Sequence, residues 1–293
     1  RYQPGNRLFL RVNPDPQART AYVIEGRSRW QALALVTLIF VLAVVLVARG
    51  RSVTALLGLA LSFAVLLYYI LPRLAVGADP LSTILIGGVL IVPASFYLAH
   101  GFSIKTTVAI VGTAISLALT LLLAQVFVRS AGLTGYASEE AAFLQAQSPG
   151  MINIRDLMVA GIVVGVLGVL DDVTISQAAT VQELRQANLS LGTWNLFGRA
   201  MRVGRDHLTS MVNTLMLVYA GAALPLLLLI HSSSLPLTYL VSQEIVAEEI
   251  VRMMVASIGL LAAVPVTTWL AAIAMTRLEP GAQPSEQDVV LEG

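Results

Sequence analysis

Seven apolar stretches dominate the chain after Trp30, and each is long enough, or nearly so, to cross a membrane. A hydrocarbon layer of about 30 Å needs about 20 helical residues at a rise of about 1.5 Å per residue. The stretches are Trp30–Ala48, Thr54–Leu71, Leu81–Ala99, Ser103–Val128, Leu157–Ala179, Asp206–Ile230 and Met253–Met275. This pattern predicts an all-α polytopic membrane protein with about seven transmembrane helices, formed by residues 30–277.

The two ends of the chain have a different composition. Residues 1–29 contain the short apolar runs Leu8–Val12 and Tyr22–Ile24, separated by Pro14 and Pro16, which predicts two strands joined by a turn. An isolated hairpin is marginally stable in water, so we expect residues 1–29 to be the C-terminal part of a periplasmic β domain. Residues 278–293 are rich in Pro, Gly, Ser and acidic side chains and predict a disordered cytoplasmic tail.

The distribution of positive residues predicts the orientation, because cytoplasmic loops carry an excess of Lys and Arg. With the N-terminus outside, the cytoplasmic side holds Arg49, Arg51, Lys105, Arg185, Arg199, Arg202, Arg205 and Arg277. The outer connections hold Arg73, Arg129 and Arg155, and the N-terminal segment adds Arg27 and Arg29. We therefore expect a multi-pass protein of a bacterial inner membrane with a periplasmic N-terminus and a cytoplasmic C-terminus.

Composition narrows the classes of function. The 293 residues are 57% apolar and 12% charged, against about 45–50% and 25% in soluble domains, so the lipid bilayer is the main partner of the surface. A net charge of +1 gives no case for a nucleic-acid partner. Cysteine is absent and histidine occurs three times, so we expect no metal or cofactor. Neither a nucleotide-binding Gly-rich loop nor a hydrolase triad is readable, which predicts a protein that is not an enzyme.

The fifth stretch contains two adjacent acidic residues, Asp171 and Asp172, after an apolar run. An ionisable group at bilayer depth is costly and is a functional candidate by default. If the helix continues through Gln177, both carboxyl groups lie inside the membrane. Two neighbouring carboxylates repel each other and resist desolvation, so the pair is suited to taking up and releasing a proton. The pattern predicts a proton relay.

Three glycines share one helical stripe with Asp172, since Gly161, Gly165 and Gly168 follow at helical spacing. We expect a neighbouring helix to approach closely there. The alternative is that the helix ends at Leu170 and the aspartates cap a cytoplasmic helix formed by residues 173–186.

Polar residues also share a face at the start of the sixth stretch. Arg202 or Arg205 could serve as the partner of a carboxylate, and Asn213 as a buried hydrogen-bonding group. The predicted supporting polar network consists of Ser176, Arg202, Arg205, Asp206, His207 and Asn213. The arginines could instead be ordinary positive anchors on the cytoplasmic side.

Before the seventh stretch, Glu244, Glu248 and Arg252 recur at intervals of four residues. This spacing lets Glu248 pair with Arg252. The group could form an outer acidic cluster at the entrance of a pathway, or the solvated face of an interfacial helix.

Several long strings resemble the YibE/F-like family of bacterial multi-pass membrane proteins. They are Gly165-Val-Leu-Gly-Val-Leu-Asp171-Asp172 with the residues to Leu184, Ala200-Met-Arg-Val-Gly-Arg-Asp-His207 with Asn213-Thr214, Ala99-His-Gly-Phe-Ser-Ile-Lys-Thr-Thr107, and Glu244-Ile-Val-Ala-Glu-Glu-Ile-Val-Arg252. The resemblance covers nearly the whole chain. It implies a periplasmic N-terminal domain followed by a helical block, and it brings no established activity.

The Asp171-Asp172 stretch and the following Arg199-Ala-Met to Pro225 stretch also resemble RND-type proton-driven transporters. In that superfamily an Asp-Asp pair on a transmembrane helix carries protons, and a lysine faces it from a second half of the chain. Here there is one helical block and no intramembrane lysine. A homodimer would restore the second half, with Arg202 or Arg205 as the cation.

Two hypotheses follow from these patterns. The first is a proton-coupled membrane transporter or export-assisting protein that works through Asp171 and Asp172. The second is a non-catalytic scaffold or assembly subunit of a larger membrane complex. The partner besides lipid would be a second copy in the first case and other subunits in the second. The substrate is not readable from the residues.

Overall fold

A computed structural model describes residues 7–12, 22–48 and 52–277. The chain divides into two compact units, Arg1–Leu56 and Leu57–Gly293. The turn predicted around Pro14 and Pro16, the positive residues Arg49 and Arg51, and the tail predicted at 278–293 lie outside the described residues.

The first unit contains a β-hairpin and one long helix. Strands β1 (Leu8–Val12) and β2 (Tyr22–Arg27) pair antiparallel, with an irregularity in the register between Phe9 and Leu10. This agrees with the two strands that the sequence predicts. Helix α1 (Trp30–Ala48) is apolar along its length and is long enough to cross a membrane.

The remaining helices belong to the second unit, except that α2 begins just before it. They are α2 (Ser52–Val65), α3 (Leu71–Ala75), α4 (Pro80–His100), α5 (Ile104–Ser130), α6 (Glu139–Gln147), α7 (Ile154–Ala187), α8 (Thr193–Ala222), α9 (Leu224–His231), α10 (Leu237–Val241) and α11 (Glu244–Arg277). A π-helical turn, Leu66–Ile70, joins α2 to α3. Within the described part of the chain, six helices are long and apolar enough to span a membrane, and the bent pair α8–α9 makes up to seven. The polytopic helical fold is confirmed.

Three predicted boundaries differ from the structure. The sixth stretch, expected to be one span at 206–230, is broken at Ala223, where α8 and α9 meet at 71°. Pro225 lies in the first turn of α9, where its missing N–H costs nothing. Helix α11 begins at Glu244 rather than Met253, and α7 continues to Ala187.

Helices α5, α7 and α11 form the centre of the second unit. Helix α5 runs antiparallel to both others, since Thr113 hydrogen-bonds Thr174 of α7 at 2.7 Å and Gly112 lies against Thr267 of α11. In a second contact between the same two helices, the glycine comes from α11 and the threonine from α5, because Gly259 lies against Thr120. Each glycine thus receives a threonine from the opposite helix, which brings the two backbones close together.

The turn between α7 and α8 is held by an arginine at one end of this bundle. Arg185 is buried, and its Nη1 donates to the carbonyl oxygens of Leu189 and Leu191. Thr193 at the start of α8 hydrogen-bonds Thr276 near the end of α11 at 2.8 Å. Helix α8 is therefore antiparallel to α7 and α11. The start of α5, the end of α7, the start of α8 and the end of α11 lie at the same end of the bundle, here called the inner end.

The glycine–threonine contacts predict a loss of stability on adding one methyl group. A Cβ at Gly112 would lie 2.3 Å from Thr267 Oγ1, so we expect Gly112→Ala to lower the free energy of unfolding by about 1–3 kcal/mol. Thermal unfolding in detergent, followed by tryptophan fluorescence, measures the change. Gly198→Ala is the control, because a Cβ there meets nothing within 4 Å. Equal melting temperatures for both variants would contradict the close approach of α5 and α11.

Candidate functional site

Helix α7 runs without interruption through the two aspartates. It spans Ile154–Ala187, so both Asp171 and Asp172 are helical. The alternative that the helix ends at Leu170 is therefore wrong. The capping role belongs instead to Asn153, whose side chain accepts from the backbone N–H of Asp156 at the other end of the helix.

The neighbouring helices fix the depth of the aspartates. Helix α4 has 21 residues, a length of about 31 Å, so the turn after His100 lies near one surface of the hydrocarbon layer. Thr174 is level with Thr113, which lies about 13 Å along α5 from that turn. Asp171 is about one helical turn deeper. The carboxyl pair thus lies inside the apolar layer, at a level from which Asp172 still interacts electrostatically with His100.

The two carboxyl groups have different surroundings. Asp171 is half-buried, and its Oδ1 is fully covered without a hydrogen-bond partner among the described residues. Asp172 is exposed on the surface of the single chain and interacts electrostatically with His100 at the end of α4. One carboxyl group therefore points into the protein and the adjacent one points out of it.

The glycine stripe of α7 is open among the described residues of the second unit. Gly161, Gly165 and Gly168 are exposed, and a Cβ added at Gly161 or Gly168 would meet nothing within 4 Å. At Gly165 the nearest atom would be the hydroxyl of Tyr219, at 3.2 Å. The inward face of α7 in the second unit is the opposite one, with Leu170 and Thr174, so the close approach of a neighbouring helix to the glycine stripe stays a prediction.

The predicted supporting polar network does not form with the aspartates inside one chain. Its members are all exposed: Ser176, Arg202, Arg205, Asp206, His207 and Asn213. Among the described residues, ion pairs join Arg11 to Glu25 and Arg252 to Glu249, and no arginine pairs with Asp171 or Asp172. The expected burial of Asn213 is corrected, since α8 turns Ala200, Gly204 and Leu208 toward its own bundle.

A second set of polar residues, which the sequence reasoning missed, fills the interior beside Asp171. Gln177 is buried, and its Nε2 donates to Ala200 O at 3.1 Å and to Thr268 Oγ1 at 2.7 Å. Thr113 and Thr174 share their hydroxyl hydrogen bond on the α5 side. A signal was present in the sequence, because Thr174 and Gln177 lie three residues apart on α7, on the side away from the glycines.

The outer acidic cluster has a different arrangement from the predicted one. Glu244 Oε1 accepts hydrogen bonds from Thr134 N at 2.5 Å, Thr134 Oγ1 at 2.7 Å and Gly135 N at 3.0 Å. It therefore fastens the loop after α5 to the start of α11. The predicted pairing of Glu248 with Arg252 is wrong, because Arg252 Nη1 bonds Glu249 Oε1 at 2.6 Å. Glu248 is 8% exposed, and its Oε1 has no hydrogen-bond partner in the described part of the chain.

The fold and this site together define a class. The molecule is a multi-pass helical membrane protein with an acidic pair at the centre of a long membrane helix. In the ranges that the structure describes, no group of three or more His, Cys, Asp or Glu side chains could hold a metal ion.

The chain belongs to the YibE/F-like protein family, whose sequence model matches residues 36–277. The match covers α2 to α11 and most of α1. Comparisons with curated proteins and with solved structures found no match. The likeness of the Asp-Asp helix to RND-type transporters therefore stays a prediction.

The buried amide of Gln177 generates a prediction for the site. We expect Gln177→Leu to lower the free energy of unfolding by about 1–2 kcal/mol, because Thr268 loses a buried hydrogen-bond partner. Thermal unfolding in detergent tests this. Gln182→Leu is the control on the same helix, since no side-chain hydrogen bond of Gln182 occurs in the described residues. If the two variants melt alike, Gln177 does not join α7 to α8 and α11.

Proposed function

We propose that this protein is a proton-coupled membrane transporter, or a protein that assists export, and that Asp171 and Asp172 carry the proton. The observation that carries this proposal is the covered Oδ1 of Asp171, which has no hydrogen-bond partner among the described residues. A carboxylate in that position costs several kcal/mol unless a proton or a polar group compensates it. The carboxyl group of Asp171 is therefore suited to a role in which it binds a proton in one state and loses it in another.

The different exposure of the two aspartates supports a relay. A proton can reach Asp172 from the surface of the chain, where His100 lies within electrostatic range. Asp171 is adjacent on the same helix and points toward the interior. Transfer of a proton from Asp172 to Asp171 moves it from the surface of the chain toward the interior. Because the two residues are adjacent on α7, the distance along the helix axis is less than one turn. The proposal needs no catalytic nucleophile and treats the protein as a transporter rather than an enzyme.

The positions of the positive residues support a bacterial inner membrane with the inner end facing the cytoplasm. Lys105, Arg185, Arg199 and Arg277 all lie near the inner end of the bundle, while Arg129 and Arg155 lie near the opposite end. Cytoplasmic connections carry the excess of positive charge. In this orientation α11 would end in the cytoplasm, and the charge pattern of the sequence favours a periplasmic N-terminus.

A scaffold or assembly subunit is the second candidate, and one observation favours it. The polar face of α8 carries Arg202, Arg205 and Asp206, which are exposed and form no ion pair among the described residues. A partner protein would cover it. The scaffold needs no change of protonation at Asp171, which separates the two candidates.

Replacement of both aspartates by asparagine tests the relay. Wild-type protein in lipid vesicles is expected to dissipate an imposed pH gradient, reported by an enclosed pH-sensitive dye, faster than protein-free vesicles do. The double variant Asp171→Asn/Asp172→Asn should reduce the proton flux to that of protein-free vesicles, because the amide of asparagine does not take up or release a proton at physiological pH. Infrared difference spectra should lose the carboxylic acid C=O band that titrates across the physiological pH range.

The matched control is Glu183→Gln, which removes an exposed carboxyl group from the inner end of the same helix and should keep the wild-type flux. Full flux in the double aspartate variant would remove the mechanism. An absence of flux above protein-free vesicles in the wild type would overturn the proposal and leave the scaffold.

A further inference from the structure

A groove between α5 and α11 runs from the inner end of the bundle into the apolar layer. It has a volume of about 320 Å³, and its lining residues all belong to the second unit. They include Thr107 and Val111 of α5 and Leu270, Ile273, Ala274 and Arg277 of α11. The lining is apolar except for one threonine and one arginine. This space is here called the α5–α11 groove.

Arg277 lies at the mouth of the α5–α11 groove. Gly112 of α5 lies against Thr267 of α11, and the two helices are antiparallel. Arg277 lies about 15 Å along α11 from that contact, which makes it level with the turn after His100. Leu270 lies about 10 Å deeper than Arg277. The groove therefore has a cation at the surface of the hydrocarbon layer and apolar walls inside it.

Aromatic side chains mark the lipid–water boundary at the same end of the bundle. Trp194 of α8 lies beside Trp269 of α11, with ring centroids 4.7 Å apart, and Trp194 is 71% exposed. Tryptophan is enriched where membrane helices meet the headgroups. Arg277 is exposed and forms no ion pair in the part of the chain that the structure describes. Its guanidinium is thus placed among lipid headgroups, beside the opening of an apolar channel.

We propose that the α5–α11 groove binds one acyl chain of an anionic phospholipid, whose headgroup phosphate pairs with Arg277. A guanidinium donates two parallel hydrogen bonds to phosphate oxygens, and basic pockets between membrane helices bind anionic headgroups. The apolar walls below the arginine match the acyl chain. The inference is independent of the proposed function, because the groove is formed by the packing of α5 on α11 whether or not protons move.

Native mass spectrometry of the whole protein in a neutral detergent tests the ligand class. Phosphatidylglycerol and phosphatidylethanolamine with the same acyl chains are compared with glycerol phosphate, which has no acyl chain. We expect the phosphatidylglycerol adduct to be about tenfold more abundant than either of the others. Equal adducts of the two lipids would overturn the anionic headgroup. A glycerol phosphate adduct as abundant as that of phosphatidylglycerol would overturn the lipid and indicate a soluble anion.

The charge is tested with Arg277→Gln, which should reduce the phosphatidylglycerol adduct about tenfold and leave the weak phosphatidylethanolamine adduct unchanged. Arg199→Gln is the matched control, because it removes an exposed arginine from the inner end that does not line the groove. This control should keep the wild-type adduct. An equal loss in both variants would contradict the proposal, since general surface charge would then explain the preference.

The shape is tested separately by filling the groove. Val111→Phe should reduce the phosphatidylglycerol adduct, whereas Val126→Phe, at a residue 52% exposed near the other end of α5, should not. Melting temperatures without lipid show whether each variant is folded. If Val111→Phe does not fold, Ala274→Leu narrows the groove from α11 and is measured in the same way. A folded groove variant with the full wild-type adduct would overturn the assignment of the acyl chain.

Discussion

The close approach of α5 to α7 and α11 is the interaction on which the rest of the structure depends. In lipid, helices gain little from burying apolar side chains, so packing and hydrogen bonds between them must supply the attraction. Gly112 and Gly259 let α5 and α11 come together around two threonines, and the hydroxyl pair Thr113–Thr174 joins α5 to α7. These contacts set the relative heights of the helices. The depth of Asp171 and Asp172 is a consequence of them, because the aspartates follow the level of Thr174.

Hydropathy predicts the number and order of the spans because a membrane helix must satisfy its backbone internally over a fixed thickness. It predicts the ends less well. Helix α7 has 34 residues, more than the hydrocarbon layer needs. Its last turns therefore carry polar residues, and a search for apolar spans alone assigns them to a loop. The break at Ala223 lies just before Pro225, which starts a new helix in a different direction, and a uniform apolar run hides it. The residues from Glu244 to Arg252 have the charge pattern of a surface helix, yet they form the first turns of α11.

The sequence predicts that Asp171 and Asp172 share one helix in the membrane, since both lie in an apolar run and their spacing is local. The neighbours of each carboxyl group are not local. A helical wheel puts Asp172 on the glycine face, but the side on which α5, α8 and α11 pack is decided by contacts such as Gln177 with Ala200 and Thr268. For the same reason spacing alone predicts the pair Glu248–Arg252, whereas in the fold Glu248 is buried and Arg252 pairs with Glu249.

The two faces of α8 differ because one of them packs closely against α7. Its inner face places Ala200 and Gly204 against Gln177, and this close fit leaves no room for a charged side chain. Arg202 and Arg205 lie on the other face, and neither forms an ion pair among the described residues. Asp172 lies on the open side of α7 for the same geometrical reason, since Leu170 and Thr174 occupy the packed side. Tight packing inside the bundle thus leaves charged side chains of both helices on the surface. Asp171 is the carboxyl group of the pair that turns toward the interior, and its covered Oδ1 has no hydrogen-bond partner among the described residues, so its protonation is more sensitive to the packing around it than that of Asp172.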